Sequence, residues 1–184
     1  LEARQIKLEY VKNIANPFPE RYERTHEICE ARDLEDGTLN VRIAGCIMSM
    51  RKMGKMTFVS IADIQGNIQI VAKRDILGEN KYEFLKKGFD IGDFLGTYGD
   101  IFTTNAGEKS VLAREITFLG KSFRPLPEKF HGVTDSEICY RQRYLDLCMN
   151  NDTKKRFIKK SQFVKEVRRY LEDEGYIEIE TPVL

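Results

Sequence analysis

TFVSIADIQGNIQIVAK, residues 57–73, decides the fold. Thr57, Val59 and Ile61 alternate with Phe58 and Ser60, and a turn at Gln65-Gly66-Asn67 leads into a second run, Ile68 to Lys73. Alternation with period two broken by a Gly/Asn turn is the pattern of an antiparallel hairpin, predicting strands over Thr57–Ile64 and Ile68–Lys73. Upstream, Leu39, Val41 and Ile43 alternate up to Gly45, and the strand runs on to Met50 before a turn at Arg51-Lys52-Met53-Gly54. Downstream, Tyr82, Phe84 and Leu85 are spaced for a helix over Asn80–Lys87, with Gly88 placed as its C-cap. Strands over about 93–104 and 109–119, joined by Asn105-Ala106-Gly107-Glu108, complete the segment.

The order β-β-β-α-β-β within residues 38–121 matches a five-stranded OB-fold barrel, whose ligand face lies on strands 2 and 3 and takes single-stranded nucleic acid or oligosaccharide. An SH3-like barrel or a small sandwich shares much of the strand pattern but lacks a helix at that point. Residues 1–37 read as a helical extension. Ile6, Tyr10 and Ile14 recur four apart over residues 1–14, Asn16-Pro17-Phe18-Pro19 stops that helix, and a second short helix fits His26–Leu34 before Asp36-Gly37. Residues 122–150 read as a linker or hinge opened by the stiff Arg124-Pro125-Leu126-Pro127.

Residues 151–184 carry a long helix, with Asp152 as its expected N-cap, Phe157, Val164, Val167 and Leu171 as one apolar stripe, and Gly175 at its end. Tyr176–Glu180 then alternates as a strand up to Pro182. The expected class is α+β, a barrel followed by an incomplete second domain, because one helix and one strand do not close a core. The chain opens on Leu1 in place of Met, as expected of an excised piece.

Composition narrows the function. The 184 residues are 41% hydrophobic and 32% charged, with no apolar run long enough to span a membrane and no signal-peptide core; a cytoplasmic, membrane-free protein is expected. The net charge of +1 hides a gradient, for residues 38–121 hold 12 Lys and Arg against 9 Asp and Glu, a balance compatible with a phosphate-bearing partner. Cysteines 29, 46, 139 and 148 match neither zinc-site nor redox spacing, and read as reduced thiols with only His26 and His131 for company. No P-loop, nucleophile elbow or dinucleotide fingerprint is present, and nothing in the sequence places a partner beside His131, so no catalytic residue and no metal is expected.

The chemistry lies instead around the second strand. With Thr57, Val59 and Ile61 inside the barrel, the pleat turns Phe58 and Ser60 outward, beside Arg51, Lys52 and Lys55. An exposed phenyl ring is a stacking platform for a base, and Gln69, opposed in facing to Ile68 and Ile70, offers an amide donor and acceptor. The competing reading makes Phe58 a core residue with Met56 as its same-face neighbour, and Gln69 merely solvated. The basic flank of the long helix, Lys154 to Arg169, reads as a solvated face. The cluster Tyr140-Arg141-Gln142-Arg143-Tyr144 supplies aromatic anchors and Arg pairs for the same contact as the apolar stripe.

A wider set of fragments carries a resemblance. Asn16-Pro17-Phe18, Arg24-Thr25-His26, Ala44-Gly45-Cys46-Ile47-Met48-Ser49-Met50-Arg51-Lys52-Met53-Gly54-Lys55 and Asp90-Ile91-Gly92-Asp93 occur in order, followed by Arg124-Pro125-Leu126-Pro127-Glu128-Lys129-Phe130-His131-Gly132, Tyr140-Arg141-Gln142-Arg143-Tyr144-Leu145-Asp146-Leu147 and Glu180-Thr181-Pro182-Val183-Leu184. In this order and spacing the chain resembles the N-terminal part of a lysyl-tRNA synthetase, a class II aminoacyl-tRNA synthetase. The resemblance implies an OB domain that binds the anticodon of tRNA(Lys), with Phe58 stacked on the central uridine, Arg51 and Gln69 bonded to its edge or adjoining backbone, and Glu115 reading a flanking base. Cys46 departs from the Arg that many relatives carry after the glycine, so no contact of that Arg transfers.

The resemblance also implies that the long helix and Pro182 form class II motif 1, with Phe157, Val164, Val167, Leu171 and Pro182 in a homodimer interface. The parent enzyme would activate lysine with ATP and Mg2+, whereas this piece, lacking motifs 2 and 3, is expected to bind the anticodon without catalysis and without a cofactor of its own. An aspartyl or asparaginyl relative would share Arg51, Phe58 and Gln69 but not the Leu126 to Gly132 run; a non-catalytic dimerising or regulatory fragment is the other alternative.

Overall fold

The computed structural model describes residues 1–126 and 135–182, which divide between two compact units, Leu1–Pro125 and Leu126–Leu184. Unit one contains α1 (Glu2–Lys12), α2 (Ile28–Asp33), β1 (Val41–Met53), β2 (Met56–Ala62), β3 (Asn67–Lys73), α3 (Arg74–Leu77), α4 (Glu79–Gly88), β4 (Phe94–Thr103) and β5 (Lys109–Gly120). The strands close into a barrel in the order β1-β2-β3-β5-β4, antiparallel at every seam except β3–β5. Closure leaves no free sheet edge. It requires β1 to serve two neighbours, and it does so by pairing with β4 through Val41–Cys46 and with β2 through Cys46–Met53. Just inside the β2-paired half, Met48 is the extra residue of a bulge, which bends the strand from one sheet direction into the other.

Period-two alternation fills the interior with Val41, Ile43, Ile47, Val59, Ile61, Ile70, Leu95 and Val111, all fully buried. The barrel interior also holds the Thr57 hydroxyl, which donates to the Tyr82 hydroxyl (3.1 Å), and Tyr82 in turn donates to the Gly54 carbonyl (3.3 Å). Tyr82 and Leu85 of α4 thereby stopper the barrel, and Phe89 bridges α4 and β5 through ring contacts with Phe84 (5.4 Å) and Phe118 (4.8 Å). Residues 1–37 share this core, for Val11, Ile28 and Ala31 are completely buried in it. At the exit of β5 a buried Lys121 ammonium sits between Asp90 and Asp93 carboxylates, each at 2.7 Å, and Lys7 of α1 also pairs with Asp90. Burial opposes ionisation of Asp90, but hydrogen bonds and charge from Lys121 and Lys7 prevail and hold its carboxyl below the usual range.

Several expectations need correction. Leu39 is outside β1 and exposed, because Asn40, at φ +63, turns the chain before the strand begins. Arg51 and Lys52 lie within β1, which runs to Met53; the turn is Gly54-Lys55 alone, with Gly54 at φ +58 as a two-residue hairpin of the primed type demands. The second strand ends at Ala62, leaving Ile64 in a turn that the Asp63 carboxylate organises by accepting the backbone N–H of Gln65 (2.7 Å) and Gly66 (2.8 Å). Gly88 is the last residue of α4 rather than a left-handed cap. A side chain there would meet Val11 at 3.1 Å, so glycine serves the close approach of α1 to α4.

Unit two contains α5 (Ser136–Arg141), α6 (Arg143–Met149) and α7 (Asn151–Asp173). Residues 136–141 and 143–149 are thus helical where a linker was expected. Asp135 caps α5 by accepting from the N–H of Glu137 and Ile138. Asp152 does not cap α7. Asn150 takes the cap position, and its side-chain amide is directed to Asp146 (2.7 Å). At the other end Gly175, at φ +86, closes a Schellman motif: its N–H bonds the Glu172 carbonyl and that of Tyr176 bonds Leu171. Tyr176–Glu180 forms no strand, since a ladder needs a neighbour and no strand of unit two is among the described residues. None of the 23 residues of α7 is buried, so Phe157, Val164, Val167 and Leu171 stay at least partly open.

Candidate nucleic-acid interface

Register assembles the site. Residues directly opposite one another in neighbouring strands project to the same side of a sheet. Arg51 faces Phe58 across β1–β2, Phe58 faces Val71 across β2–β3, and Val71 faces Leu112 across β3–β5. One step along, Ser49, Ser60, Gln69 and Ser110 form a parallel row. Since Thr57, Val59 and Ile61 are fully buried inside, both rows lie on the outer wall. Phe58 is therefore a half-buried ring on the outside, with Met56 on its own face, and the reading that made it a core residue fails. Arg51, its register partner on β1, is exposed on the same face.

Gln69 departs from the solvated alternative as well. It is 7% exposed, and its side-chain N–H donates to the Ser110 hydroxyl at 3.0 Å. Gln69 lines a groove of about 390 Å³ together with Arg32, Ser60, Asn67, Gly107 and Lys109. The structure thus brings Arg51, Phe58 and Gln69 onto one wall of the barrel. Glu115 lies apart. Five residues further along β5 than Ser110, or roughly 17 Å of strand, it pairs with Lys81 of α4 (3.3 Å) and faces Tyr98 of β4. Close by, the Tyr22 ring covers Gly96 and its hydroxyl donates to the Thr97 carbonyl (3.0 Å); burial pushes this phenol up, Arg42 opposes that, and Glu115 adds to it.

Of the other basic residues, Lys52 spends its ammonium on the Lys86 carbonyl (3.0 Å), while Lys55 is exposed at the turn. Cys46 is half-buried with its thiol directed at the Gly92 carbonyl (3.5 Å). Sequence reasoning missed Ser110, completely buried beside Gln69. Its only sequence signal was its place one residue before the inward-facing Val111. In unit two, the Arg143 guanidinium lies 5.1 Å from the Tyr140 ring centre and 5.4 Å from that of Phe157, and it pairs with Asp146 (2.6 Å). His131 and most of the Leu126–Gly132 run lie outside the described residues, as do Val183 and Leu184. Among the described residues no group of three His, Cys, Asp or Glu side chains is arranged to hold a metal, and no helix is long and apolar enough to cross a membrane.

Comparison with known proteins agrees with this division. Residues 41–119 match the OB-fold nucleic acid binding domain of the tRNA anticodon type, and residues 135–184 match the class II tRNA synthetases of the D, K and N group. These two matches place the chain among the class II aminoacyl-tRNA synthetases with an OB-fold anticodon domain. Within that class it belongs to the lysine–tRNA ligase family. It is 43% identical to the lysine–tRNA ligase of Lactococcus lactis subsp. cremoris (strain MG1363) and 45% identical to that of Lysinibacillus sphaericus (strain C3-41), in both cases over 100% of this chain. Identity to the Streptococcus suis (strain 05ZYH33) lysine–tRNA ligase is 47% over 92% of the chain. The chain spans 39%, 38% and 36% of the length of these three relatives.

Proposed function

We propose that the outer wall of β1, β2 and β3 binds the anticodon of tRNA(Lys), as the recognition part of a lysine–tRNA ligase. One observation carries this: Arg51 stands opposite Phe58 on the outside of a nucleic-acid-binding barrel, with Gln69 on the same wall. A base stacked on Phe58 gains about 1–3 kcal/mol without regard to its identity. Identity comes from the hydrogen-bonding edge, which Arg51 and Gln69 address; an exposed guanidinium only donates, whereas the amide does both. The base read this way is the central uridine, and Glu115, further round the barrel, reads a flanking one.

The whole ligase would activate lysine with ATP and Mg2+ and transfer it to tRNA in the cytoplasm, as a homodimer in which Phe157, Val164, Val167, Leu171 and Pro182 meet the second copy. The described residues include no cluster suited to the metal, and no step through nucleotide or metal is assigned to them. Titration of the chain with a tRNA(Lys) anticodon hairpin tests the reading. Binding is expected to weaken by at least tenfold when the central nucleotide is made abasic, since base stacking and edge contacts are lost together; equal binding of intact and abasic hairpins would contradict it.

A further inference from the structure

We infer that Ser110 is a positioning residue that fixes which end of the Gln69 amide meets the bound base; the inference rests on the proposed anticodon reading. An isolated glutamine amide can present either its oxygen or its nitrogen, so by itself it discriminates poorly between bases whose edges differ in donor and acceptor order. Here the choice is made by a chain of hydrogen bonds. The Ser110 hydroxyl donates to the backbone carbonyl of Glu108 (3.1 Å), and that carbonyl is held in the β4–β5 turn by the N–H of Thr104 (3.0 Å). A carbonyl only accepts, so the single hydroxyl proton of Ser110 is committed to it. What remains toward Gln69 is a lone pair, and only the NH2 end of the amide can use it, as the 3.0 Å bond from Nε2 to Oγ shows.

The Gln69 oxygen is thereby the end not bonded to Ser110, and with the second N–H of Nε2 it makes up the edge that this groove-lining residue has left to offer. Such an edge accepts from a ring N–H and donates to an adjoining carbonyl, which is the order uracil offers at N3 and its flanking oxygens. Cytosine carries a lone pair at N3 and meets the same oxygen with repulsion. Ser110 is completely buried, so it acts through Gln69 and not by touching the base. The β4–β5 turn therefore contributes to base selection, although none of its own side chains is required for it.

The test uses the 184-residue chain and two anticodon hairpins that differ only in uridine or cytidine at the centre. Ser110→Ala is expected to narrow the preference for uridine by roughly fivefold, the worth of one ordinary hydrogen bond, while Ser110→Thr, which keeps the hydroxyl, retains it. Phe58→Ala weakens both hairpins alike, because stacking does not read the edge. A Ser110→Ala protein with wild-type preference, in a chain whose binding still depends on Phe58, would overturn the positioning role alone. Loss of the Phe58 dependence would overturn the anticodon reading beneath it. Should Ser110→Ala fail to fold, the wild-type protein decides: nuclear Overhauser contacts from the Gln69 NH2 protons to the Ser110 methylene are expected, and their absence would overturn the assignment.

Discussion

The barrel and α7 use the same kind of information, an apolar period, and reach opposite states. In the barrel the alternation of β1 to β5 is complete on all sides, so Ile43, Val59, Ile70 and Val111 are sealed from water. In α7 the spacing of Phe157, Val164, Val167 and Leu171 is just as regular, yet no residue is buried. Periodicity states which face wants cover; only topology supplies it. A closed barrel supplies its own cover, whereas a single amphipathic helix depends on other elements for most of its stability.

The largest expected consequence is in local stability. Backbone amides of Ile43, Val59 and Ile70 open only with the whole barrel, while those of central α7 open locally, so hydrogen exchange should separate the two by about a thousandfold or more. Equal protection in a monomeric sample would break the comparison. Next in size is the response to truncation. Phe118→Ala removes a ring packed on Phe89 and should cost about 3–5 kcal/mol in urea unfolding. Val167→Ala on the open stripe should cost less than about 0.5 kcal/mol.

How much of this was legible in the sequence follows the same line. Strand order and the helix between the third and fourth strands were readable, because pleating and period two are local, whereas spacing left the outward aim of Phe58 as one of two readings. Gln69's burial was not, since it depends on β5 lying parallel beside β3 forty residues away. The strand end at Ala62 was hidden because apolar Ile64 reads as part of the strand, although the next inward position is Asp63, whose carboxylate folds the chain back. The strand at Tyr176–Glu180 failed for the reason the α7 stripe lies open: its partner is not part of the described structure. The proposed RNA-reading roles came from the resemblance, and the register then showed that three of the four residues share a wall.

The smallest of the stability effects sharpens the barrel side of the comparison. Asp90 has a folded pKa below its ordinary value because Lys121 and Lys7 outweigh its burial. A depressed carboxylate contributes stability that is fully present above its unfolded pKa, about 3.9, and is lost as pH falls through the lower folded value. Asp90→Asn should therefore flatten the dependence of barrel stability on pH in the acid range below about 4, as followed by urea unfolding at stepped pH. An unchanged acid limb would remove Asp90 from the account.

The central claim is that an outward ring at position 58 seats an unpaired base. Filter binding of the uridine-centred anticodon hairpin to the wild-type chain and to Phe58→Ala, at one salt concentration and with the fold of both checked by circular dichroism, tests it most directly. Loss of about 1–3 kcal/mol on substitution is the predicted result. A correctly folded Phe58→Ala chain that binds the hairpin as tightly as the wild type would contradict it.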